Sequence, residues 1–140
     1  MFIKQLSIFV ENKHGRLENI IDSLGKNGIN LKALSIADTT DFGILRIIAD
    51  DTDKAKEALD GIGVVSKITD VPAVFIDDCT GGLAKVLKVV TENETGIEYM
   101  YAFLGRKEGK ALMVLKTDDD NKTLNALKEN GIEIAGPQDI

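Results

Sequence analysis

The chain has 140 residues, enough for one average domain or two very small ones. Apolar residues make up 44% and charged residues 29%, the composition of a globular chain. The formal net charge is −6 and no run of Lys or Arg occurs, which argues against nucleic acid or an anionic membrane as partner.

In chain order, Leu6, Ile8 and Val10 alternate as in a half-buried strand. Leu17, Ile20, Ile21 and Leu24 then form one face of a helix, which Asn27-Gly28 should end. Ile29, Leu31 and Ala33 alternate again in a strand expected to run towards Asp38. Asp38-Thr39-Thr40-Asp41 is turn chemistry, and Gly43 to Ala49 is a third apolar strand. Asp51-Thr52-Asp53 can cap a second helix with Ala55, Ala58, Leu59 and Ile62 on its buried face. Val64 to Ile68 reads as the fourth strand. The order is β-α-β-β-α-β.

The second half runs through the same series. Val74 and Ile76 alternate, then Leu83, Val86, Leu87 and Val90 keep helical spacing. Ile97, Tyr99, Tyr101 and Phe103 alternate, and Ala111 to Leu115 is the next strand. Asp118-Asp119-Asp120-Asn121 precedes a helix carrying Leu124 and Leu127, and Ile132 and Ile134 close the unit. Pro72 suits a strand start or edge near the junction.

Letters repeat along with element order. Phe9 matches Phe75, Asn12 Asp78, Gly15 Gly81 and Leu17 Leu83. Gly28-Ile29 matches Gly96-Ile97, Asp51 matches Asp118, Ala58-Leu59 matches Ala126-Leu127 and Gly63 matches Gly131. The expected fold is α+β: two tandem ferredoxin-like βαββαβ units, residues 1–70 and 71–140, each one antiparallel sheet of order 4-1-3-2 with both helices on one face. The second strand of each unit then lies at an edge, and exposed edges invite pairing. Edge-to-edge pairing would join the sheets into one of eight strands, with Tyr99, Tyr101 and Phe103 at the seam.

Glu11-Asn12-Lys13-His14-Gly15-Arg16-Leu17 followed by Gly28-Ile29-Asn30 resembles the signature of ACT domains, a loop of the form Asn-x-Pro-Gly-x-Leu, a helix, then Gly-Ile-Asn. Leu34 to Asp38 and Phe42 to Arg46 are also similar to stand-alone tandem ACT proteins. The resemblance spans essentially the whole chain, more closely in the first copy. The departures are His14 and Thr80 for the loop proline, Asp78 for the loop asparagine and Glu98 for the strand asparagine.

The resemblance implies allosteric binding of a free amino acid at the seam between paired domains, by the first loop of one and the edge strand of the other. It assigns Asn12, His14, Gly15, Arg16 and Leu17 to one wall, opposite Glu98, Tyr99, Met100 and Tyr101. A pseudo-equivalent site would use Asp78, Gly81, Gly82 and Leu83 against Asn30 and Leu31. Serine-sensing relatives carry a histidine where this chain has Val10, which argues for a more apolar or larger ligand side chain. Independently, the loop ends at a helix N-terminus, whose free N–H groups suit a carboxylate. Asn12, Glu98, Asp78 and Asn30 offer acceptors for an ammonium group.

Other chemistry is weakly represented. His14 is the only histidine, so a His-based metal cluster is out; it is a ligand contact or an ordinary loop residue before it is a catalyst. Cys79 is likewise the only cysteine, so no intrachain disulfide can form and a reducing compartment fits. Asp78 beside it disfavours a thiolate. Gly61-Ile62-Gly63 follows a helix rather than a strand, which fails the dinucleotide fingerprint and suits a helix end. Asp118-Asp119-Asp120 lacks calcium-loop spacing. No cofactor or metal is expected. The N-terminus lacks a signal-peptide core, and no apolar run approaches the roughly 20 residues of a membrane span. The expectation is a cytoplasmic regulatory sensor without catalysis, forming a homodimer or higher homo-oligomer and acting alone or on a partner enzyme. A ligand-free assembly subunit is the alternative, ahead of a small enzyme on the same scaffold.

Overall fold

The computed structural model describes residues 1–38, 41–105 and 107–140. Thr39 and Thr40 of the expected turn lie outside them. The chain divides into two compact units, Lys4–Thr69 and Asp70–Ile140, with Met1–Ile3 belonging to the second.

The first half runs β1 (Ile3–Glu11), α1 (Arg16–Lys26), β2 (Leu31–Asp38), β3 (Phe42–Ala49), α2 (Thr52–Gly61) and β4 (Ser66–Val71). The second repeats this as β5 (Ala73–Asp77), α3 (Gly82–Glu92), β6 (Ile97–Ala102), β7 (Lys110–Thr117), α4 (Asp120–Glu129) and β8 (Ile134–Ala135), then a short 3-10 turn, Pro137–Asp139. The sheets have orders β2-β3-β1-β4 and β6-β7-β5-β8, the expected topology in both halves. No helix of the described residues is long and apolar enough to cross a membrane.

The alternation in the sequence becomes a helix-facing side and an outer side of each sheet. Leu6, Ile8 and Val10 of β1 and Leu45, Ile47 and Ala49 of β3 pack against Ile20, Leu24, Ala55 and Leu59 of the helices. In the second unit Val74, Ile76 and Leu115 meet Val86, Val90 and Leu127. Each fully buried Leu or Ile contributes about 1.5–3 kcal/mol over its exposed state, so these stripes supply much of each unit's stability.

The aspartates before the second helices cap them. Asp51 accepts from the Lys54 N–H at 3.0 Å, and Asp119 from the Lys122 N–H at 3.1 Å. The Gly61-Ile62-Gly63 stretch is a helix end, with Ile62 as C-cap and Gly63 at φ 71°. Pro72 stands between β4 and β5, and its carbonyl accepts from the Leu115 N–H at 3.0 Å.

Two letter matches between the halves are overturned by hydrogen bonding. The Asn30 N–H donates to the Asp50 carboxylate and the Asp50 N–H to the Asn30 carbonyl, both at 3.0 Å. Gly96 and Asp118 make the same reciprocal pair, also at 3.0 Å. Gly96 therefore corresponds to Asn30 and Asp118 to Asp50. The counterpart of Gly28 is Glu94, which holds a left-handed φ of 55° where Gly28 has 71°. The residue at the strand-asparagine place is Gly96, and Glu98 corresponds to Lys32. The capping roles likewise match Asp51 with Asp119, not Asp118. The extra length lies in the second hairpin: Ile36 faces Leu45 nine residues on, whereas its counterpart Ala102 faces Met113 eleven on.

Candidate ligand site

The loop between β1 and α1 is a tight turn fixed by its own backbone. The Lys13 N–H donates to the Glu11 carbonyl at 2.8 Å, the Arg16 N–H to Lys13 at 3.2 Å, and the Asn12 N–H to Asp41 at 3.3 Å. The loop between β5 and α3 makes the same bonds: Cys79 to Asp77 at 2.9 Å, Gly82 to Cys79 at 3.0 Å, and Asp78 to Gly109 at 3.1 Å. Gly15 (φ 80°) and Gly81 (φ 83°) stand at the helix N-caps in a left-handed conformation without steric cost. Neither helix has a side-chain cap, so the N–H groups that follow those of Arg16 and Gly82 in the first turns of α1 and α3 keep their capacity to bind an anion.

Beneath the first loop lies a cavity of 260 Å³. Asn12 and Leu17 reach it from above, and Val10, Gly43 and Asp38 form its floor across β1, β3 and β2. In the antiparallel register Gly43 stands opposite both Val10 and Asp38, so all three share the helix-facing side. Gly43, on the central strand of the three, carries no side chain, and this omission opens the floor. Ile36 supplies a further wall on the same face; it is 51% exposed and Leu17 38%. Around the rim, Lys13 pairs with Glu11 at 3.0 Å and holds its carboxyl below the ordinary range, first by the hydrogen bond and then by its charge. Asp38 has no ion-pair or side-chain hydrogen-bond partner among the described residues. The arrangement combines the apolar surfaces of Val10, Leu17, Ile36 and Gly43, a carboxylate without a partner among the described residues, an amide and a helix N-terminus within the volume of a small molecule.

The other expected residues are distributed differently. His14 and Gly15 are exposed in the turn. Arg16 turns along α1 to a second cavity, of 340 Å³, with Asn19, Ser23 and Ile62, where its Nε is buried without a hydrogen-bond partner. Asn30 is exposed and bonded to Asp50, and Leu31 packs against the first core. In the second unit Asp78, Gly81 and Leu83 are exposed, while Gly82 is buried beside a 150 Å³ cavity with Lys85, Lys110 and Glu133. A Cβ on Gly82 would lie 2.0 Å from the Asp77 carbonyl oxygen, so the strand's last carbonyl is packed onto the helix start.

A register shift between Ile97 and Tyr99 divides the β6 residues between two faces. Tyr99 and Tyr101 turn to the outer side, ring centroids 6.4 Å apart and nearly parallel. Met100 turns inward against the second core. Glu98 is exposed. Val10, Glu11, Lys13, Ile36, Asp38 and Gly43 were not foreseen as site residues. For Gly43 a signal existed, since a glycine inside a strand marks a close approach or a gap. Among the described residues no three His, Cys, Asp or Glu side chains cluster so as to hold a metal ion.

The family model for the ACT domain pair matches residues 1–140. No curated protein matches the sequence. Among solved structures, protein BT0572 from Bacteroides thetaiotaomicron is 41% identical, with a TM-score of 0.90 over 99% of this chain and 95% of that one. The ligand-free regulatory subunit of aspartate kinase from Thermus thermophilus shares the fold at 15% identity, with a TM-score of 0.64 over 90% of both chains. Aspartate kinase from Synechocystis does so at 15% identity and a TM-score of 0.62, over 96% of this chain and 26% of that one. With the βαββαβ order in both halves and the glycine-capped loop at the start of each first helix, these matches show that the chain belongs to the ACT domain pair family.

Proposed function

We propose that this chain is a regulatory, non-catalytic module that binds a free amino acid through the Glu11–Leu17 loop. The observation that carries the reading is the 260 Å³ cavity under that loop, where Asn12 and Asp38, which has no ion-pair partner among the described residues, accompany apolar walls beside the start of α1. An amino acid's ammonium group suits Asp38 and the Asn12 side-chain oxygen. Its carboxylate suits the first amides of α1 and the Lys13 ammonium. Likeness in fold to a chain described as the regulatory subunit of aspartate kinase supports a regulatory role.

The reading keeps the seam between the two domains, residues 1–70 and 71–140, as the expected place of binding. His14, Gly15, Arg16 and Leu17 stand on the loop side, and Glu98, Tyr99, Met100 and Tyr101 opposite. The second site would use Asp78, Gly81, Gly82 and Leu83 with Asn30 and Leu31. Ligand at such a place shifts the population of domain or oligomer arrangements, and the output passes to a homo-oligomer or a partner enzyme in the cytoplasm. A thermal-shift screen of the twenty amino acids tests it. At 100 times Kd a ligand specific for the native state adds about 2.7 kcal/mol, a readily measured rise in Tm. If no amino acid raises Tm, the chain is an assembly subunit instead.

A further inference from the structure

We infer that the cavity of the first unit selects an amino acid with an aliphatic side chain, and that Gly43 and Ile36 set this selectivity. The inference rests on the amino-acid-binding reading and specifies its ligand class.

Four groups form the part of the cavity away from the loop backbone: the side chains of Val10, Leu17 and Ile36, and the bare backbone of Gly43. None offers a side-chain hydrogen bond. The polar groups Glu11, Asn12 and Lys13 belong to the loop, and Asp38, at the end of β2, borders Gly43 on the same face and is the partner assigned to the ligand's ammonium group. A ligand whose ammonium and carboxylate engage these groups directs its side chain over Gly43. With Asp38 and Asn12 engaged by the ligand's ammonium group, a hydroxyl, amide or second charge there gains no further side-chain partner, whereas an aliphatic group covers exposed parts of Leu17 and Ile36.

Gly43 limits as well as opens the space. A Cβ built on it lies 3.6 Å from the Ile36 Cδ1 and 3.6 Å from the Ala37 carbonyl oxygen, ordinary contact distances. A larger side chain is therefore accommodated at position 43, but its outer atoms occupy the cavity. The second unit differs at these positions. By register Ala111 stands where Gly43 does and Ala102 where Ile36 does, and two residues further along the chain it has Leu104 where the first unit has Asp38. The second unit thus lacks the bare glycine, the large aliphatic wall and the carboxylate.

Isothermal titration of the full chain with L-leucine, L-isoleucine, L-valine and L-methionine, against L-serine, L-threonine, L-aspartate and L-lysine, tests the inference. At least one aliphatic amino acid should bind roughly 10-fold or more tighter than every polar one, the scale that one or two buried methylenes give in an apolar pocket. Gly43→Val should weaken that binding at least 10-fold, and Ala111→Val should not. Because Gly43 is buried, Ile36→Asp at a half-exposed position serves as the second variant and should give the same loss with circular dichroism unchanged. Tighter binding of a polar or basic amino acid overturns the inference and leaves the amino-acid reading standing. So does aliphatic binding that survives both variants, or that Ala111→Val abolishes. Binding of no amino acid overturns the reading itself.

Discussion

The two units repeat one plan with different local chemistry. Both start their first helix from a left-handed glycine, and both close the second strand with a reciprocal aspartate pair. They part at the position after that glycine, where one has Arg16 and the other Gly82, and on β3 and β7, where Gly43 of the first unit corresponds to Ala111 of the second. The first loop spans a cavity with a side chain missing from its floor. The second is drawn down onto its own strand. The same backbone wiring therefore carries a cavity with a glycine floor in one copy and an alanine at the matching place in the other.

Changing Gly82 should expose this difference most strongly. Its Cβ would fall 2.0 Å from a backbone oxygen that cannot move without shifting the loop. Gly82→Ala should destabilise by about 4 kcal/mol, whereas Arg16→Ala at the matching place should cost under about 1 kcal/mol, as measured by urea unfolding. The cores should behave alike: Leu59→Ala and Leu127→Ala remove matched, fully buried side chains and should each cost about 3 kcal/mol. A difference above about 1.5 kcal/mol would contradict the equivalence drawn from the register.

Smaller effects sharpen the comparison at the loops. Asp51→Ala and Asp119→Ala each remove a helix cap and should cost about 1 kcal/mol. Glu94→Gly relieves a left-handed non-glycine residue and should stabilise by up to about 1 kcal/mol, while Gly28→Ala imposes that cost on the first unit. The smallest effect is electrostatic: both units hold a carboxyl down with a lysine, Glu11 by Lys13 and Asp77 by Lys110, and in the second the lysine is itself raised. Lys110 there pairs with Asp77, where the first unit has Phe42 opposite Glu11. The hydrogen bond and charge of Lys110 hold the Asp77 carboxyl below its usual range, and Asp77 raises the Lys110 ammonium. The Asp77 contribution is present above the ordinary carboxylate pKa and is lost as pH falls through the lowered value. The Lys110 contribution is present below the ordinary lysine pKa and is lost as pH rises through the raised value. Tm measured against pH for Asp77→Asn should lose both slopes, and a matching change at Glu11 should leave the alkaline one in place.

Much of the fold was legible because burial imposes periodicity. Leu6-Ile8-Val10 and Ile20-Leu24 could each bury a face only as strand and helix, and both did, while Leu17 at the start of the same stripe stays 38% exposed. Element ends were less legible. Val64, expected inside a strand, is buried just before β4 begins at Ser66, because a core position needs an apolar side chain whether or not its backbone pairs. The site was half legible. Asn12 and Leu17 followed from the loop pattern, but Ile36 and Asp38 come from a strand whose distance along the chain hides them.

The sequence by itself determined the element order, the doubling and the strand topology, since alternation, helical stripes and caps are local properties with few compact solutions. Only the tertiary structure decided which residues of the halves correspond. The Gly28-Ile29 match with Gly96-Ile97 is a likeness of letters, whereas hydrogen bonds between strands and helix ends set the register. It also decided where space remains. A cavity is a side chain absent between neighbours, and Gly43 acquires that meaning only when Val10 and Asp38 lie on either side of it.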